Sequence, residues 1–395
     1  MAITTVNLRT VISRAKKLTT VFSKNSASPQ TFCIKVMIVG IEELSGTLRD
    51  HTTLHVGGGA QQIVRVTTDQ ELIDLVRNID QQGEQLLILG GGSNVVCTDQ
   101  DFPGTVIVIA MMGIEWDKGP VTVAAGENWD AFVSHAIDLG FGGLAPLAGI
   151  PGSMGATPIQ NIGAYGVELA EFVDQVSVWD REESVRRNLS VAECKFEYRD
   201  SALKKNPSRY VVLSVTLKIT RSLEIPIRYE QLARVMNQQI ETVANAVEVR
   251  DQVLRLRGMK SMVLDSADAD SNSTGSFFIN PTVLHVNVPQ GCPTYSLKES
   301  NSLAGTSVNT SVKLSAAWLI EKAGITKGFG LADIDSRVRV SRNHTLAIAN
   351  VDSGSSREVI ELASYIRQQV FNSFGIELKV EPVLINCELD QLTRI

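Results

Sequence analysis

Residues 149–168 read GIPGSMGATPIQNIGAYGVE, and the fold turns on this stretch. Gly149, Gly152, Gly155, Gly163 and Gly166 alternate with Pro151, Pro158 and small side chains, with almost no charge. That composition predicts a rigid loop and no helix: glycine permits close backbone approach and positive φ, while the prolines fix the turns. Gln160, Asn161 and Tyr165 then offer polar contacts on an otherwise apolar wall. A purely structural glycine turn would be shorter. The pattern suits a loop laid against a large flat ligand.

Upstream, Leu86–Asn94 reads LLILGGGSN, an apolar run that ends in Gly90, Gly91, Gly92, Ser93 and Asn94. Buried strands look like this, and the glycines leave backbone N–H groups free to face phosphate oxygens. In GxGxxG register the third glycine position is Val95, and no GK[ST] follows. Neither the dinucleotide fingerprint nor the P-loop is met. Gly57-Gly58-Gly59 fails in the same way. Taken alone, LGGGSN reads equally as a tight turn or a phosphate cradle.

Further motifs follow in order: FEYRDS (196–201), GSFFINP (275–281), SVKLSAAWLI (311–320) and Glu381-Pro382. With the two glycine loops, this ordered set resembles the UDP-N-acetylenolpyruvoylglucosamine reductase family over roughly residues 48–385. The resemblance implies an α+β chain: a vanillyl-alcohol-oxidase/PCMH-type FAD-binding fold of two α+β subdomains, plus a C-terminal α+β substrate-binding domain. The boundaries expected are 44–110, 111–245 and 246–390, after a basic extension at 1–43.

Composition is compatible with this. The 395 residues, 44% hydrophobic, suffice for two or three domains with sizeable cores. A net charge of −6 without a basic, aromatic-studded stripe argues against nucleic acid. Cys33, Cys97, Cys194, Cys292 and Cys387 are scattered and never in CxxC spacing. Neither a disulfide framework nor a zinc site fits, and a reducing cytoplasm is expected. No run reaches the length of a membrane span. Residues 1–40 carry Arg9, Arg14, Lys16, Lys17, Lys24 and Lys35 without an acid, and no apolar core of a secretory signal. A disordered extension or an upstream start codon, with Met37 as the true start, is expected there.

Along the chain, Thr68 and Glu71 form a capping box for a helix whose face is Leu72, Leu75, Val76 and Ile79. Strands are expected over 105–109, 121–124, 175–178 and 210–219, with a helix near 129–139. A second helix is expected over 240–256. Asp268, Asp270 and Asn272 hint at calcium, but Ser273 and Ile279 occupy the positions that require glycine and glutamate. A mobile loop is expected over 289–309, then a helix through Lys322. A helix capped by Ser355 and Glu358 and ended by Gly375 precedes a strand over 376–385.

The resemblance also implies chemistry: NADPH reduces non-covalently bound FAD, and the flavin passes hydride to the enolpyruvyl ether of a UDP-sugar. Hydride addition leaves negative charge on the neighbouring carbon and carboxylate. A cation or donor must face that charge, and an acid must protonate the carbon. Matched residue by residue, Arg199 and Glu381 would stabilise the enolate and Ser276 would donate the proton. FAD contacts would come from Gly90, Gly91, Gly92, Ser93, Asn94, Ile150, Pro151, Gly152, Gly155, Ala156, Ile159, Gly163, Tyr165 and Arg257. Substrate contacts would come from Gln160, Tyr229, Lys260 and Asn280. No metal is implied, and a cytoplasmic monomer is expected.

The chain departs from the family pattern at Lys260–Asp265, which reads KSMVLD where many relatives have KLPDP. It departs also at Ile279 and Val383. The nearest rival of the same fold is an FAD-dependent sugar or alcohol oxidase. Many of those hold flavin through histidine, yet His51, His55, His135, His285 and His344 all lie outside the glycine loops. A flavin-binding module without turnover would be expected to lose one of Arg199, Ser276 or Glu381.

Overall fold

The computed structural model describes residues 41–116, 119–295 and 311–393. The expected helix spans Asp69–Gln82, with Thr68 accepting from the Glu71 N–H and Gly83 closing it at φ +65°. Its buried face is Leu72, Ile73, Leu75, Val76 and Ile79. This helix is the crossover that lets Ala60–Val66 and Gln85–Leu89 both pair in parallel with Phe102–Ile109. Ile41–Glu43 adds an antiparallel edge. The glycines of LGGGSN therefore sit where a parallel strand ends.

A second, antiparallel sheet runs in the order Val185–Ser190, Val173–Asp180, Tyr210–Leu217, Val121–Ala124, Ile114–Trp116. The helix Trp129–Asp138, capped by Asn128, packs against it and buries Trp129, Phe132 and Val133. The two sheets share one continuous core, in which Val64 and Val76 join Val176 and Val215.

The expected helix over 240–256 begins later, at Ala246, and ends at Gly258. Val243–Asn245 is instead a short strand against Glu224–Pro226, and Asn245 caps the helix by accepting from the Val247 N–H. Strand pairing and a good cap set the boundary here, not apolar periodicity. Ala246, Val249 and Val253 of this helix bury themselves in the core shared by the two sheets.

The C-terminal part has its own core, built on Phe277, Phe278, Leu319, Val359 and Ile366 and reached from the N-terminal side by Leu54, Val56 and Val96. Ser273–Ser276 pairs with Ala347–Asn350, which pairs with Val338–Val340. The helices Ala316–Lys322 and Ser356–Phe374 cover this layer; the latter has the Ser355–Glu358 capping box and ends at Gly375 in the left-handed region. The strand expected over 376–385 is reduced to Val383–Ile385, paired in parallel with Val95–Cys97. Ahead of it, Val380 forms a single bridge to Phe278. Within the loop expected over 289–309, Thr294–Tyr295 pairs with Ser311–Leu314. Residues 296–309 of that loop and residues 1–40 of the extension lie outside the described residues.

Candidate active site

The glycine loop is pinned to the second sheet by its own backbone. Gly155 N–H donates to the Ala125 carbonyl (2.8 Å), Met154 N–H to that of Glu127 (2.8 Å), and Trp129 N–H to that of Gly152 (3.1 Å). The loop contains a helical turn, Thr157–Gln160, which contradicts the expectation that no helix forms there. Pro158 stands in the first turn, where its missing N–H costs nothing, and Asn161 at φ +45° ends the turn in the left-handed region. Asn161 is 1% exposed. Its amide is spent on Glu168 Oε2 (3.2 Å), the Glu197 carbonyl (2.8 Å) and the Ala170 N–H (3.1 Å). It shapes the loop, where the sequence suggested a polar contact on the ligand-facing wall.

The two glycine motifs meet backbone to backbone. A Cβ on Gly91 would lie 2.8 Å from the Gly152 Cα. Ser93 Oγ donates to the Pro151 carbonyl at 2.8 Å and holds the loops in register. Only glycine at both positions lets the turns close on one another.

Arg199 sits at a tight corner in which Glu197 and Asp200 exchange backbone hydrogen bonds (2.9 and 3.2 Å), and its own φ is +57°. Such a conformation costs on the order of 1–2 kcal/mol for a residue with a Cβ. The corner aims the guanidinium at Glu381: Arg199 Nε lies 3.2 Å from Glu381 Oε1, with both side chains 17% exposed. Arg199 also donates to the Gly163 carbonyl, and a Cβ on Gly163 would lie 2.7 Å from its Nη1. The neighbouring Asp200 pairs with Lys205 instead (3.2 Å).

Glu381 reaches this place through the C-terminal layer. Its N–H donates to the Phe277 carbonyl (2.9 Å), which seats it beside Ser276, and Val383 N–H donates to the Asn94 carbonyl (2.9 Å). Asn94 Nδ2 returns to the Glu381 carbonyl at 3.4 Å. Gln160 Nε2 donates to Glu381 Oε1 at 3.1 Å. Four segments far apart in sequence thus converge on Glu381: Gln160 and Arg199 meet its carboxylate, Asn94 and Phe277 its backbone.

Where they converge lies a cavity of about 290 Å³. Its wall includes Ser93, Asn94, Ile150, Pro151, Gly152, Ala156, Gln160, Gly163, Arg199, Arg257, Ser276, Asn280 and Glu381 from the sequence reading. Gly155 and Ile159 stand behind the wall: the former packs on Ala125, and the carbonyl of the latter accepts from Ser201 Oγ. Tyr165 and Tyr229 also lie off the wall, edge to face at 5.6 Å, and burial pushes both phenols up. Lys260 donates to Gln231 Oε1 at 3.1 Å outside the wall. Burial, then Arg257 and Lys327, push the Lys260 ammonium down. Asn280 faces the cavity, but its Oδ1 accepts from the Ala316 N–H (2.9 Å) at the start of the helix Ala316–Lys322, which Ser315 caps.

Sequence reasoning missed Tyr198, Thr274 and Lys204. Tyr198 lines the cavity; its ring carries the Arg199 Cζ at 5.0 Å and the Lys313 Nζ at 3.2 Å from the centroid. Thr274 also lines it, and its neighbour Gly275 was the only signal. Lys204 has no signal in the sequence.

A flavin fits the donor set. Arg257 Nε and Thr274 Oγ1, both on the cavity wall, are buried without a hydrogen-bond partner among the described residues. Such atoms call for a polar group from a bound molecule.

Residues 60–188 match the FAD binding domain, and residues 267–385 match the C-terminal domain of UDP-N-acetylenolpyruvoylglucosamine reductase. The chain is 43% identical over 346 residues to the UDP-N-acetylenolpyruvoylglucosamine reductase of Cutibacterium acnes, covering 86% of this chain and 89% of that one. This chain belongs to the UDP-N-acetylenolpyruvoylglucosamine reductase family. It is 42% identical over 351 residues to the reductase of Thermobifida fusca, covering 87% and 97% of the two chains. The crystal structure of the Thermus caldophilus reductase superposes with a TM-score of 0.60 over 87% of this chain and 99% of that one, at 24% identity, which shows a common fold. As a member of this family the chain is a flavin-dependent oxidoreductase with an FAD-binding domain. No helix among the described residues is long and apolar enough to cross a membrane.

Proposed function

We propose that this chain reduces UDP-N-acetylglucosamine enolpyruvate to UDP-N-acetylmuramate with NADPH, through non-covalently held FAD, in peptidoglycan precursor synthesis. The observation that carries the reading is the Arg199–Glu381 pair, which shares one cavity with Ser276 and both glycine motifs. In this reading residues 44–110 and 111–245 carry the flavin and residues 246–390 carry the sugar. The chain works as a cytoplasmic monomer.

When bound, FAD would supply the hydride-carrying capacity that no side chain has. Gly90–Asn94 and Ile150–Ala156 cradle it, and Arg257 and Thr274 supply its buried polar contacts. As hydride adds to the terminal alkene carbon, the π electron pair moves onto the neighbouring carbon and its carboxylate. Arg199, held rigid by Gly163 and Glu381, faces that charge with a fixed fork of donors. Ser276 gives its proton to the carbon and regains one from water. Gln160 and Asn280 contact the sugar at the cavity wall, Tyr229 and Lys260 meet the diphosphate beyond it, and Tyr165 belongs to the flavin.

Anaerobic spectroscopy tests this. NADPH should bleach the flavin band, and the enolpyruvyl UDP-sugar should restore it. Bleaching that only oxygen reverses would instead make the protein an oxidase. A failure of NADPH to bleach would remove the nicotinamide from the reaction.

A further inference from the structure

We propose that Lys204 is a positioning residue that orients Gln160 and thereby seats Glu381 against Arg199. This inference rests on the reductase reading and extends it to a residue outside the cavity wall. Lys204 stands in the one-turn helix Ala202–Lys205, which Ser201 caps by accepting from the Lys204 N–H. Ser201 Oγ in turn donates to the Ile159 carbonyl (2.8 Å), so this turn is bolted to the glycine loop.

The ammonium turns inward and finds three acceptors: Gln160 Oε1 at 2.7 Å, the Arg199 carbonyl at 3.2 Å and the Glu381 carbonyl at 3.3 Å. Those acceptors belong to the glycine loop, the FEYRDS corner and the C-terminal segment. An ammonium has exactly as many N–H bonds as there are acceptors here, and no acceptor of its own.

The consequence for Gln160 follows from its chemistry. A primary amide can turn over and exchange its oxygen for its nitrogen at little cost unless its partners distinguish them. Lys204 can only donate, so it requires the Gln160 oxygen. The amide nitrogen is then left facing Glu381 Oε1 at 3.1 Å, the same oxygen that Arg199 Nε meets at 3.2 Å. Glu381 can only accept and selects the same orientation, so ammonium and carboxylate grip the amide from its two ends; without the ammonium the amide keeps one anchor of two and its place beside Glu381 loosens. Lys204 also adds a second cation behind an Arg199–Glu381 pair that is otherwise neutral. Burial pushes its ammonium down, while Glu381 and Asp200 push it back up and Arg199 opposes them.

The test uses the flavin-loaded, full-length enzyme and follows two half-reactions by stopped flow, with Lys204→Met, Gln160→Met and the double variant. Lys204→Met should reduce flavin by NADPH at the wild-type rate. Its limiting rate of reoxidation by the enolpyruvyl sugar should fall ~10–10²-fold, the range for a misplaced catalytic group, while the sugar's dissociation constant from the same titration stays put. Gln160→Met should lose a similar factor, and the double variant should be no slower than the slower single. Losses that multiply would overturn the inference, as would an effect on sugar affinity alone or an equal fall in the NADPH step. If Lys204→Met fails to hold flavin, Gln160→Met still decides: a wild-type reoxidation rate there leaves Lys204 nothing to orient. Were the wild-type enzyme not reoxidised by the sugar at all, the reductase reading itself would fail and take this role with it.

Discussion

Replacing Gly91 by alanine isolates the contact between the two glycine motifs. Gly91 is not among the glycines at positive φ, so alanine meets no backbone penalty there. The added methyl would instead lie 2.8 Å from the Gly152 Cα and 3.2 Å from its carbonyl carbon. Carbon–carbon contacts are comfortable only from ~3.5 Å, so the loops must part by about 0.7 Å. No side-chain rotation relieves a clash with backbone. Overpacking of this kind costs about 1–3 kcal/mol.

If FAD lies across both loops as proposed, its binding needs them closed, while without it they are free to part. The strain therefore falls on binding, and about 1–3 kcal/mol corresponds to a ~5–150-fold weaker dissociation constant. Gly83→Ala is the control. Gly83 has φ +65° with nothing within 4 Å of its would-be Cβ, so alanine there meets backbone strain of ~1–2 kcal/mol but no clash. Calorimetric titration of apoprotein with FAD, beside thermal melts, separates the two. Both variants should melt earlier, and only Gly91→Ala should bind FAD more weakly. Wild-type FAD affinity in Gly91→Ala would refute the two-loop cradle.

Three further outcomes are expected. Ser276→Ala should keep flavin reduction by NADPH and lose ~10²–10⁴-fold in the sugar half-reaction, as for a missing general acid; equal rates in stopped flow would remove Ser276 from that role. Arg199→Ala should slow the same half-reaction by on the order of 10²–10³, and a loss of flavin content alone would assign it to the cofactor instead. His344 is pushed down to about 4 by burial and by Lys260, Lys327 and Arg257. The unfolded histidine takes up its proton near pH ~6.5, so the folded state lags behind it and the stability it contributes is present above that pH and lost as pH falls through about 4. Urea unfolding of His344→Gln should show a pH dependence about 2–3 kcal/mol flatter over that window than wild type, and parallel curves would contradict the buried, cation-ringed environment.

Local rules made much of the fold legible. Thr68, Glu71 and Gly83 bound the first helix, and Ser355, Glu358 and Gly375 bound the last, because caps act on the backbone beside them. The readings failed where distant chain decided the matter. Val243–Asn245 looks like the start of a helix until Glu224–Pro226 pairs with it. The strand expected over 376–385 keeps only the part that finds Val95–Cys97. Inside the glycine loop, Thr157–Gln160 turns helical because Asn161 accepts a left-handed conformation that the folded loop makes worthwhile through three hydrogen bonds of its side chain.

The site shows the same division in sharper form. The chemistry-bearing residue types stand out in their motifs, but nothing in those motifs says that Glu381 should meet Arg199. That meeting is produced by backbone: Glu381 N–H on the Phe277 carbonyl and Val383 N–H on the Asn94 carbonyl, which any residue types could supply. Backbone pairing carries no side-chain signature, so the geometry was invisible even where the chemistry was plain. It also ties Ser276, next to Phe277, to Asn94 in the first glycine motif through a single extended segment, 381–383. A change in the packing beneath that segment should therefore move Ser276, Glu381 and Asn94 together, which makes the segment the mechanical centre of the site.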